Sequence, residues 1–355
     1  MPETRRRRRS APASAPRSRF RRPLAALVAV GLAVVALLAL GFRYGGESMW
    51  WLEIARYVPF PAYLVPALAL VVAAWPLGWR WRCAAALAAL VVATELMGLA
   101  VGAPDIGAGR LRFMTYNIKA YLAARTPDGF AQLAWEIASQ DADVIVMQDA
   151  QPMSTERELP APIRAALKGR QTYVQGQYIV ASRYPLTHCA PGDMSYAGAQ
   201  DDFVHCTLTV AGRDIDLFTA HFVSPREGLN AARGKSAGGL HEWEGNFYDR
   251  LAQAGLLAAA VGRTTRPVIV AGDLNADERS PVVRRLLATG LRDAFSSAAI
   301  GYGYTLGHAL RPGFSFLRID HVLVSSDIGV NDCAPGGRDG SEHRPVLADL
   351  WIASP

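Results

Sequence analysis

The chain has 355 residues, of which 51% are hydrophobic, and its formal net charge is +6. This apolar fraction is high for one ordinary soluble domain, and the excess lies in the first hundred residues, so two unlike parts are expected. Nine arginines fall within residues 1–22, which leaves the rest of the chain slightly acidic. This balance disfavours a non-specific nucleic-acid binder, because such proteins usually present a basic face.

The N-terminal arginine cluster precedes three apolar runs. Residues 1–22 also contain Ala, Pro and Ser and are predicted to form a disordered basic tail. Residues 24–42, 58–75 and 83–102 are apolar runs long enough to suggest membrane spans, and a secretory signal would explain only the first. We therefore expect a three-span transmembrane region over residues 23–103. The arginine tail should stay in the cytoplasm, so the part after the third span should lie outside it.

The remaining residues, 104–355, have the pattern of one α/β domain. Alternating or continuous apolar runs predict strands at residues 111–118, 143–147, 173–181, 203–210, 214–220, 267–271, 319–324 and 345–351. Helices are predicted over residues 128–139, from Asn246 to about residue 261, and from Ser280 onward. This order predicts a four-layer α/β sandwich of two packed mixed β-sheets flanked by helices.

Two segments between the predicted strands carry further expectations. Residues 222–245 are polar and Gly-rich and directly follow His221 at a strand end, which predicts a long loop over a site. Cys189 and Cys206 flank a polar loop on neighbouring predicted strands. A disulfide and a pair of buried thiols are both compatible with that placement.

Polar motifs stand at the ends of the predicted strands. Gly272-Asp273-Leu274-Asn275 follows one strand, Arg318-Ile319-Asp320 opens the next, and Ser341-Glu342-His343 lies about twenty residues later. An unpaired carboxylate inside an apolar strand would be costly, so Asp320 requires a partner, and His343 is the best candidate. Carboxylates, an amide and a histidine together suit metal-assisted attack on a phosphate ester.

Taken in series, these motifs resemble those of the endonuclease/exonuclease/phosphatase superfamily, the fold of pancreatic-type deoxyribonuclease and neutral sphingomyelinases. The chain looks like a membrane-anchored bacterial-type member, and the resemblance covers residues 110–352. The motifs occur in the expected order: Thr115-Tyr116-Asn117, residues 143–149, residues 181–186, Ala220-His221, Gly272 to Asn275, Arg318 to Asp320, and Ser341 to His343.

The resemblance implies a metal site and a water-positioning pair. It implies that Asn117 and Asp149 hold a divalent ion, usually Mg²⁺, with Mn²⁺ or Ca²⁺ as alternatives, and that Glu342 belongs to the same metal shell. It also implies that Asp273 and Asn275 position the attacking water and the phosphate. The family usually has Glu at position 149 and Asp at position 342, so one acidic arm is a methylene shorter here and the other a methylene longer.

For the other polar residues, the resemblance implies contacts with the reacting phosphate. His343 contacts the scissile phosphate or exchanges a proton, and Asp320 orients His343. His221 is a second phosphate contact that stabilises developing charge.

The sequence therefore predicts a membrane-anchored, metal-dependent phosphoesterase that acts outside the cytoplasm on a phosphodiester or phosphomonoester. Tethering beside the bilayer makes a phospholipid or its headgroup an attractive substrate. Nucleic acid is less favoured, so an extracellular nuclease is the nearest alternative. A non-catalytic sensor that keeps the pocket for metal or phosphate binding is a second alternative, suggested by the altered acid pair. The oligomeric state stays open.

Overall fold

The fold is described from a computed structural model. It describes residues 18–107, 109–154, 158–234, 236–309 and 313–352. The tail predicted over residues 1–22 lies outside the described residues up to residue 17, and residues 18–22 belong to the first helix.

The N-terminal part is helical. Its elements are α1 (Ser18–Tyr44), a 3-10 turn (Glu47–Leu52), α2 (Glu53–Arg56), α3 (Pro61–Ala74), a second 3-10 turn (Trp75–Leu77), α4 (Trp79–Val91) and a π-helical turn (Val92–Leu96). Helices α1, α3 and α4 pack against one another through small side chains, among them Val28, Ala74 and Ala85. Large apolar side chains on their outer faces, such as Leu37 and Val72, remain exposed. The three helices therefore form a bundle whose outside is apolar.

The prediction of three membrane spans is wrong in its count. Among the described residues, one helix, Phe20–Tyr44, is long and apolar enough to cross a membrane. A second candidate exists only if Glu47–Arg56 and Pro61–Leu77, bent by 82° to each other, count as one span. Helix α3 has 14 residues and α4 has 13, or roughly 20 Å each at 1.5 Å per residue, against a hydrocarbon core of about 30 Å. Prolines and a glycine break the apolar runs into shorter helices. A hydropathy average does not register such helix-breaking residues.

The rest of the described chain contains the strands of the fold. In chain order they are β1 (Ala100–Val101), β2 (Leu111–Asn117), β3 (Val144–Gln148), β4 (Gln171–Gln175), β5 (Tyr178–Ser182), β6 (Leu186–Asp193), β7 (Asp202–Val210), β8 (Arg213–His221), β9 (Val268–Asp273), β10 (Arg292–Asp293), β11 (Ile300–Gly301), β12 (Asp320–Val324), β13 (Ile328–Pro335) and β14 (Val346–Ile352).

These strands form two six-stranded mixed sheets and one two-stranded ribbon. The first sheet has the order β13-β14-β2-β3-β5-β4, the second has the order β10-β12-β9-β8-β7-β6, and β1 pairs with β11. Each large sheet contains one parallel pair, β2 with β3 and β8 with β9. A disulfide between Cys189 and Cys206 joins β6 to β7, so the structure forms the bond that the sequence left open.

Helices cover both outer faces. The helices of this part are α5 (Ala120–Ala123), α6 (Gly129–Ser139), α7 (Gln151–Ser154), α8 (Ala161–Ala166), α9 (Arg226–Arg233), α10 (Ala237–Val261), α11 (Pro281–Leu287) and α12 (Ala294–Ala298). Of these, α12 packs against the core between the sheets. Along β3, Val144 and Val146 face the core between the sheets, whereas Ile145 and Met147 belong to the outer core with α6, as strand alternation requires. Two mixed sheets flanked by helices confirm the predicted α/β sandwich.

Residues 222–245 are largely helical, so the predicted long loop is wrong. Helix α9 and the first part of α10 occupy most of this segment. The Ser236 side chain caps α10 by accepting a hydrogen bond from the backbone N–H of Gly239 at 3.0 Å, and Asn246 lies inside the helix instead of at its start. Glycines in the segment weaken intrinsic helix propensity, but burial of Trp243 and Phe247 outweighs that effect.

Candidate active site

Four strand ends bring the predicted polar residues to one edge of the sandwich. Asn117 ends β2, Asp149 directly follows β3, His221 ends β8 and Asp273 ends β9. β2 runs parallel to β3, and β8 runs parallel to β9, so the side chains at the ends of each pair emerge at the same edge of the sheet. The register also places Asp273 beside Asp320 at the start of antiparallel β12.

One carboxylate oxygen of Asp273 lies at the centre of the site. Its Oδ2 accepts a hydrogen bond from Asn117 Nδ2 at 2.9 Å, and the Nε2 atoms of His221 and His343 lie 3.6 and 3.8 Å away. Burial and the neighbouring Asp320 carboxylate raise the pKa of Asp273. Asp273 is therefore a stronger base than an exposed aspartate.

His343 forms a buried pair with Asp320, the partner that the sequence predicted. His343 Nδ1 lies 2.9 Å from Asp320 Oδ2, and the Thr305 hydroxyl donates to the same oxygen at 2.6 Å. Burial works against the imidazolium, but the Asp320 and Asp273 carboxylates outweigh it and raise the pKa of His343. Burial likewise works against the Asp320 carboxylate, and His343 outweighs it and lowers the pKa of Asp320. The pair therefore favours a protonated histidine.

His221 is oriented by an amide. Its Nδ1 lies 2.6 Å from Gln177 Oε1, which can only accept, so Nδ1 carries a hydrogen and Nε2 is directed toward Asp273. Asp149 Oδ1 lies 3.8 Å from the same Nδ1. His221 therefore bridges the two carboxylates of the site.

Asn275 and Glu342 differ in where they are placed. Asn275 is buried, and its backbone N–H donates to Asp273 Oδ1 at 3.0 Å while its Nδ2 donates to the Phe222 carbonyl at 2.8 Å. Glu342 instead pairs with Arg226 at 3.3 Å on the rim. The structure brings together Asn117, Asp149, His221, Asp273, Asn275, Asp320 and His343, and it leaves Glu342 outside this group.

Lys119 is a site residue that the sequence analysis missed. Its Nζ donates to Asp149 Oδ2 at 2.7 Å, and its backbone N–H donates to Asn117 Oδ1 at 3.2 Å. Burial works against the ammonium, but Asp149 and Asp273 outweigh it and raise the pKa of Lys119. Burial also opposes ionisation of Asp149, but His221 and Lys119 hold the pKa of Asp149 below its usual range. The only signal in the sequence was a lysine two positions after Asn117.

The residues around Asp149 fit a hard divalent cation in their chemistry. Asn117 and Asp149 bring amide and carboxylate oxygens, which Mg²⁺ and Ca²⁺ prefer. The Lys119 ammonium contacts Asp149 already, so a metal ion would share this carboxylate with Lys119 or displace it. Asp273, Asp320 and His343 also bring ligand atoms within 4.8 Å of one another, but within that group His343 and Asp320 already satisfy each other.

The sequence between residues 114 and 343 matches the model of the Endonuclease/Exonuclease/phosphatase family, which is more than half of the chain. The chain belongs to the endonuclease/exonuclease/phosphatase family. Among curated proteins, none matches the sequence significantly.

Solved structures of the endonuclease/exonuclease/phosphatase family share this fold. The family protein from Bacteroides vulgatus is 18% identical, with a TM-score of 0.55 over 69% of this chain and 100% of its own. The protein from Beutenbergia cavernae DSM 12333 is 19% identical, with a TM-score of 0.51 over 69% of this chain and 72% of its own. D. rerio TDP2, solved with a single strand DNA product, is 16% identical, with a TM-score of 0.52 over 69% of this chain and 100% of its own. At these identities the likeness shows the fold alone.

In this endonuclease/exonuclease/phosphatase member, an acidic cleft adjoins the site. The cleft has a volume of about 640 Å³ and includes Gln177, the partner of His221, in its lining. Asp193, Asp201 and Asp202 also line it. Like charges repel, so a cleft with this lining disfavours a polyanionic chain.

Proposed function

We propose that this chain is a membrane-anchored, divalent-metal-dependent phosphoesterase that hydrolyses a phosphodiester or phosphomonoester outside the cytoplasm. The observation that carries the proposal is the placement of Asp273 between two histidines, whose Nε2 atoms lie 3.6 and 3.8 Å from its carboxylate. A phosphate ester is anionic and repels nucleophiles, so its hydrolysis needs a base and positive charge close together. This edge of the sandwich offers both.

Asp273 is proposed to orient the attacking water and accept its proton. Its raised pKa favours that role, because a base with a pKa closer to neutrality takes up a proton more readily. Hydrogen bonds from Asn117 Nδ2 and the Asn275 N–H fix the carboxylate in place.

His343 and His221 are proposed to contact the phosphate. Asp320 keeps His343 protonated, so His343 can donate a hydrogen bond or a proton to a phosphate oxygen as negative charge develops. His221, held by Gln177, offers the second contact.

Asn117 and Asp149 are proposed to hold the metal ion, with Mg²⁺ as the first candidate and Mn²⁺ or Ca²⁺ as alternatives. Such an ion neutralises phosphate charge and polarises its oxygens when bound. Lys119 places a fixed positive charge beside the same carboxylate. Glu342 would join this shell only after release from Arg226.

Three observations support membrane anchoring and an extracytoplasmic site. Helix α1 is long and apolar enough to cross a membrane, and the helical bundle exposes large apolar side chains. The disulfide between Cys189 and Cys206 suits an oxidising compartment. We accordingly propose residues 1–22 as a cytoplasmic tail, residues 23–103 as a helical region anchored in the membrane through α1, and residues 104–355 as the catalytic domain.

A phospholipid or its headgroup is the favoured substrate class. The catalytic edge lies against the N-terminal helical part, since the Tyr57 hydroxyl contacts the carbonyl of Asn275. The acidic cleft beside His221 also disfavours a polyanion. An extracellular nuclease is the second candidate, supported by the likeness to a TDP2 structure that holds DNA.

The test uses the full-length protein in detergent with Mg²⁺ or Mn²⁺. Substrates are bis-p-nitrophenyl phosphate, p-nitrophenyl phosphate, phospholipid vesicles and plasmid DNA. We expect hydrolysis of at least one aryl ester, loss of activity with chelator, and a drop of roughly a hundredfold or more in His343→Ala. The matched control is His241→Ala, because the His241 side chain is 88% exposed.

The substrate panel also separates the alternatives. Loss in His343→Ala on vesicles but not on plasmid favours the phospholipid substrate, and the reverse favours a nuclease. A wild-type protein that binds metal but hydrolyses neither aryl ester would leave the non-catalytic sensor as the better explanation.

A further inference from the structure

The membrane-proximal segment, residues 47–60, packs directly against the catalytic loop, residues 273–279. The Tyr57 hydroxyl donates a hydrogen bond to the backbone carbonyl of Asn275 at 2.7 Å. From α10, Arg250 Nη1 donates to the same carbonyl at 3.1 Å and also contacts the Tyr57 hydroxyl. The backbone of a site residue is therefore held by the N-terminal part of the chain.

A buried ionic network makes the second contact between the segment and the loop. Arg56 Nη1 lies 3.1 Å from Asp277 Oδ1, and its Nε lies 2.7 Å from Glu53 Oε1. The Ser280 hydroxyl donates to Glu53 Oε2 at 2.9 Å. The side chains of Arg56 and Glu53 are each 5% exposed. Buried charges are costly unless they are paired, so this network depends on the segment and the loop being docked together.

Arg250 connects the segment to the loop a third time. It is fully buried, and its guanidinium carbon lies 5.5 and 5.3 Å from the ring centroids of Tyr57 and Trp243. Its Nη2 has no hydrogen-bond partner among the described residues. Trp243 in turn donates from Nε1 to the Trp50 carbonyl at 3.0 Å. An apolar side chain would fill this space without the cost of an unpaired donor, so packing alone does not account for Arg250.

The backbone of Asn275 is in the sparsely populated left-handed region. Its φ is +48°, a conformation that asparagine adopts more readily than most other non-glycine residues, and contacts on its carbonyl help to keep it there. The N–H of Asn275 orients the Asp273 carboxylate, so rotation of the local backbone would move that carboxylate. Two donors on the Asn275 carbonyl oppose the rotation.

We propose that Tyr57 is a positioning residue of the active site, and that the membrane-proximal segment is required for catalysis in addition to tethering. Tyr57 acts through Asn275 on the orientation of Asp273 and has no contact of its own with the substrate. The inference rests on the proposed function, which assigns water activation to Asp273.

The test compares two hydroxyl deletions in the full-length protein in detergent. Tyr57→Phe removes the donor to Asn275 and keeps the ring. The matched control is Tyr63→Phe, because the Tyr63 hydroxyl donates to the Ala55 carbonyl within the N-terminal part of the chain. With bis-p-nitrophenyl phosphate, we expect kcat to fall about fivefold to twentyfold in Tyr57→Phe while KM stays within about twofold. In Tyr63→Phe both constants should stay within about twofold of wild type.

Thermal unfolding, followed by circular dichroism, separates positioning from stability. Assays are run at a temperature where both variants are folded, so that kcat compares native proteins. Equal kcat values for the two variants, or a loss confined to KM, overturn the inference while the proposed function stands. An inactive wild-type protein refutes the proposed function, and the inference with it.

Discussion

Lys119 is the single residue that most changes what the site is expected to do. Its ammonium lies 2.7 Å from the carboxylate proposed to hold the metal ion. Two cations that share one carboxylate repel each other, and at such distances the repulsion reaches the scale of kcal/mol. Lys119→Met removes the charge and keeps much of the length, so we expect Mn²⁺ to bind about tenfold more tightly or better, where tenfold corresponds to about 1.4 kcal/mol.

Electron paramagnetic resonance of free Mn²⁺ measures this affinity without any turnover. Lys168→Met is the control, because Lys168 is an exposed lysine. An unchanged Mn²⁺ affinity in Lys119→Met would contradict the competition, and a weaker affinity would show instead that Lys119 supports the ion.

Asp320 is expected to set the alkaline limit of activity. In the native site the pKa of His343 is raised because the carboxylates of Asp320 and Asp273 outweigh the effect of burial. If protonated His343 is the active form, kcat/KM is highest below this pKa and falls as pH rises through it. Asp320→Asn removes one negative charge, so the pKa of His343 should drop and the alkaline limb of the profile should move to lower pH by about one unit.

The chain offers a matched control for this pH experiment. His205 and Asp216 form a second His–Asp pair, 3.0 Å apart and outside the site. Asp216→Asn should leave the alkaline limb where it is in wild type. A profile that shifts equally in both variants would show a general effect of charge or stability and would remove His343 from the role proposed for it.

At the residue scale, the sequence predicted which side chains pair better than it predicted where individual side chains point. The cost of a carboxylate inside an apolar strand was enough to predict that Asp320 has a partner, and His343 is that partner. Glu342 is adjacent to His343 along the chain, yet it pairs with Arg226. Ser341 and Glu342 form a bend before the isolated bridge at His343, and no strand or helix period fixes where a side chain in a bend points. Lys119 was missed because nothing in the sequence shows that the chain folds its side chain back onto Asp149.

Among the elements, the contact between β8 and β9 sets the geometry of the site, and Gly272 allows it. Gly272 has a φ of +154°, and a Cβ at this position would lie 1.9 Å from the carbonyl oxygen of Ala220 on the neighbouring strand. Gly272→Ala must therefore push the strands apart at the point where His221 and Asp273 face each other. We expect loss of more than about 2 kcal/mol of stability from strain and overpacking, and activity below a hundredth of wild type, roughly the scale of one lost catalytic contact.

Gly262→Ala is the control for this substitution. Gly262 has a φ of −66°, and an added Cβ would meet the carbonyl of Ala258 at 3.4 Å, which is ordinary contact. Circular dichroism reports folding, and the aryl-ester assay reports activity. Normal activity in Gly272→Ala would show that β8 and β9 tolerate separation and that the facing of His221 and Asp273 is not required.

The type of an element could be predicted where its composition is typical of that type. The prediction failed where tertiary packing determines the structure. The short apolar run at residues 144–147 is rich in β-branched residues, which favours a buried strand, and β3 is one. Residues 222–245 have a composition typical of loops, but α9 and α10 form there because Trp243 is fully buried against the domain. Helix propensity is a weak prior that such tertiary contacts override.

For the whole molecule, hydropathy located the apolar region but not its division into helices. Three apolar runs predicted three spans, whereas only α1 has the length and composition of a span among the described residues, or two spans if the bent pair is counted. The docking of the N-terminal part onto the catalytic loop was not predictable, because the hydrogen bond from Tyr57 to Asn275 joins positions 218 residues apart. No local pattern carries information on such a contact.

This docking predicts that residues 104–355 are not an independent, fully active domain. A fragment of these residues loses Tyr57, Arg56 and Glu53, and it uncovers Trp243 and Arg250, which are fully buried in the whole chain. Loss of the donor from Tyr57 should lower kcat at least as much as Tyr57→Phe does, and the uncovered apolar surface should promote self-association.

A second fragment, residues 45–355, tests whether the cause is the docking or the loss of α1, the proposed membrane anchor. It lacks α1 but keeps the membrane-proximal segment, so in detergent it should retain kcat within about threefold of the full chain if docking is the decisive contact. Size-exclusion chromatography and steady-state kinetics on both fragments give the comparison. A monodisperse fragment 104–355 with the kcat of the full chain would show that the catalytic loop holds Asp273 in place unaided, because that fragment contains no residue of the membrane-proximal segment.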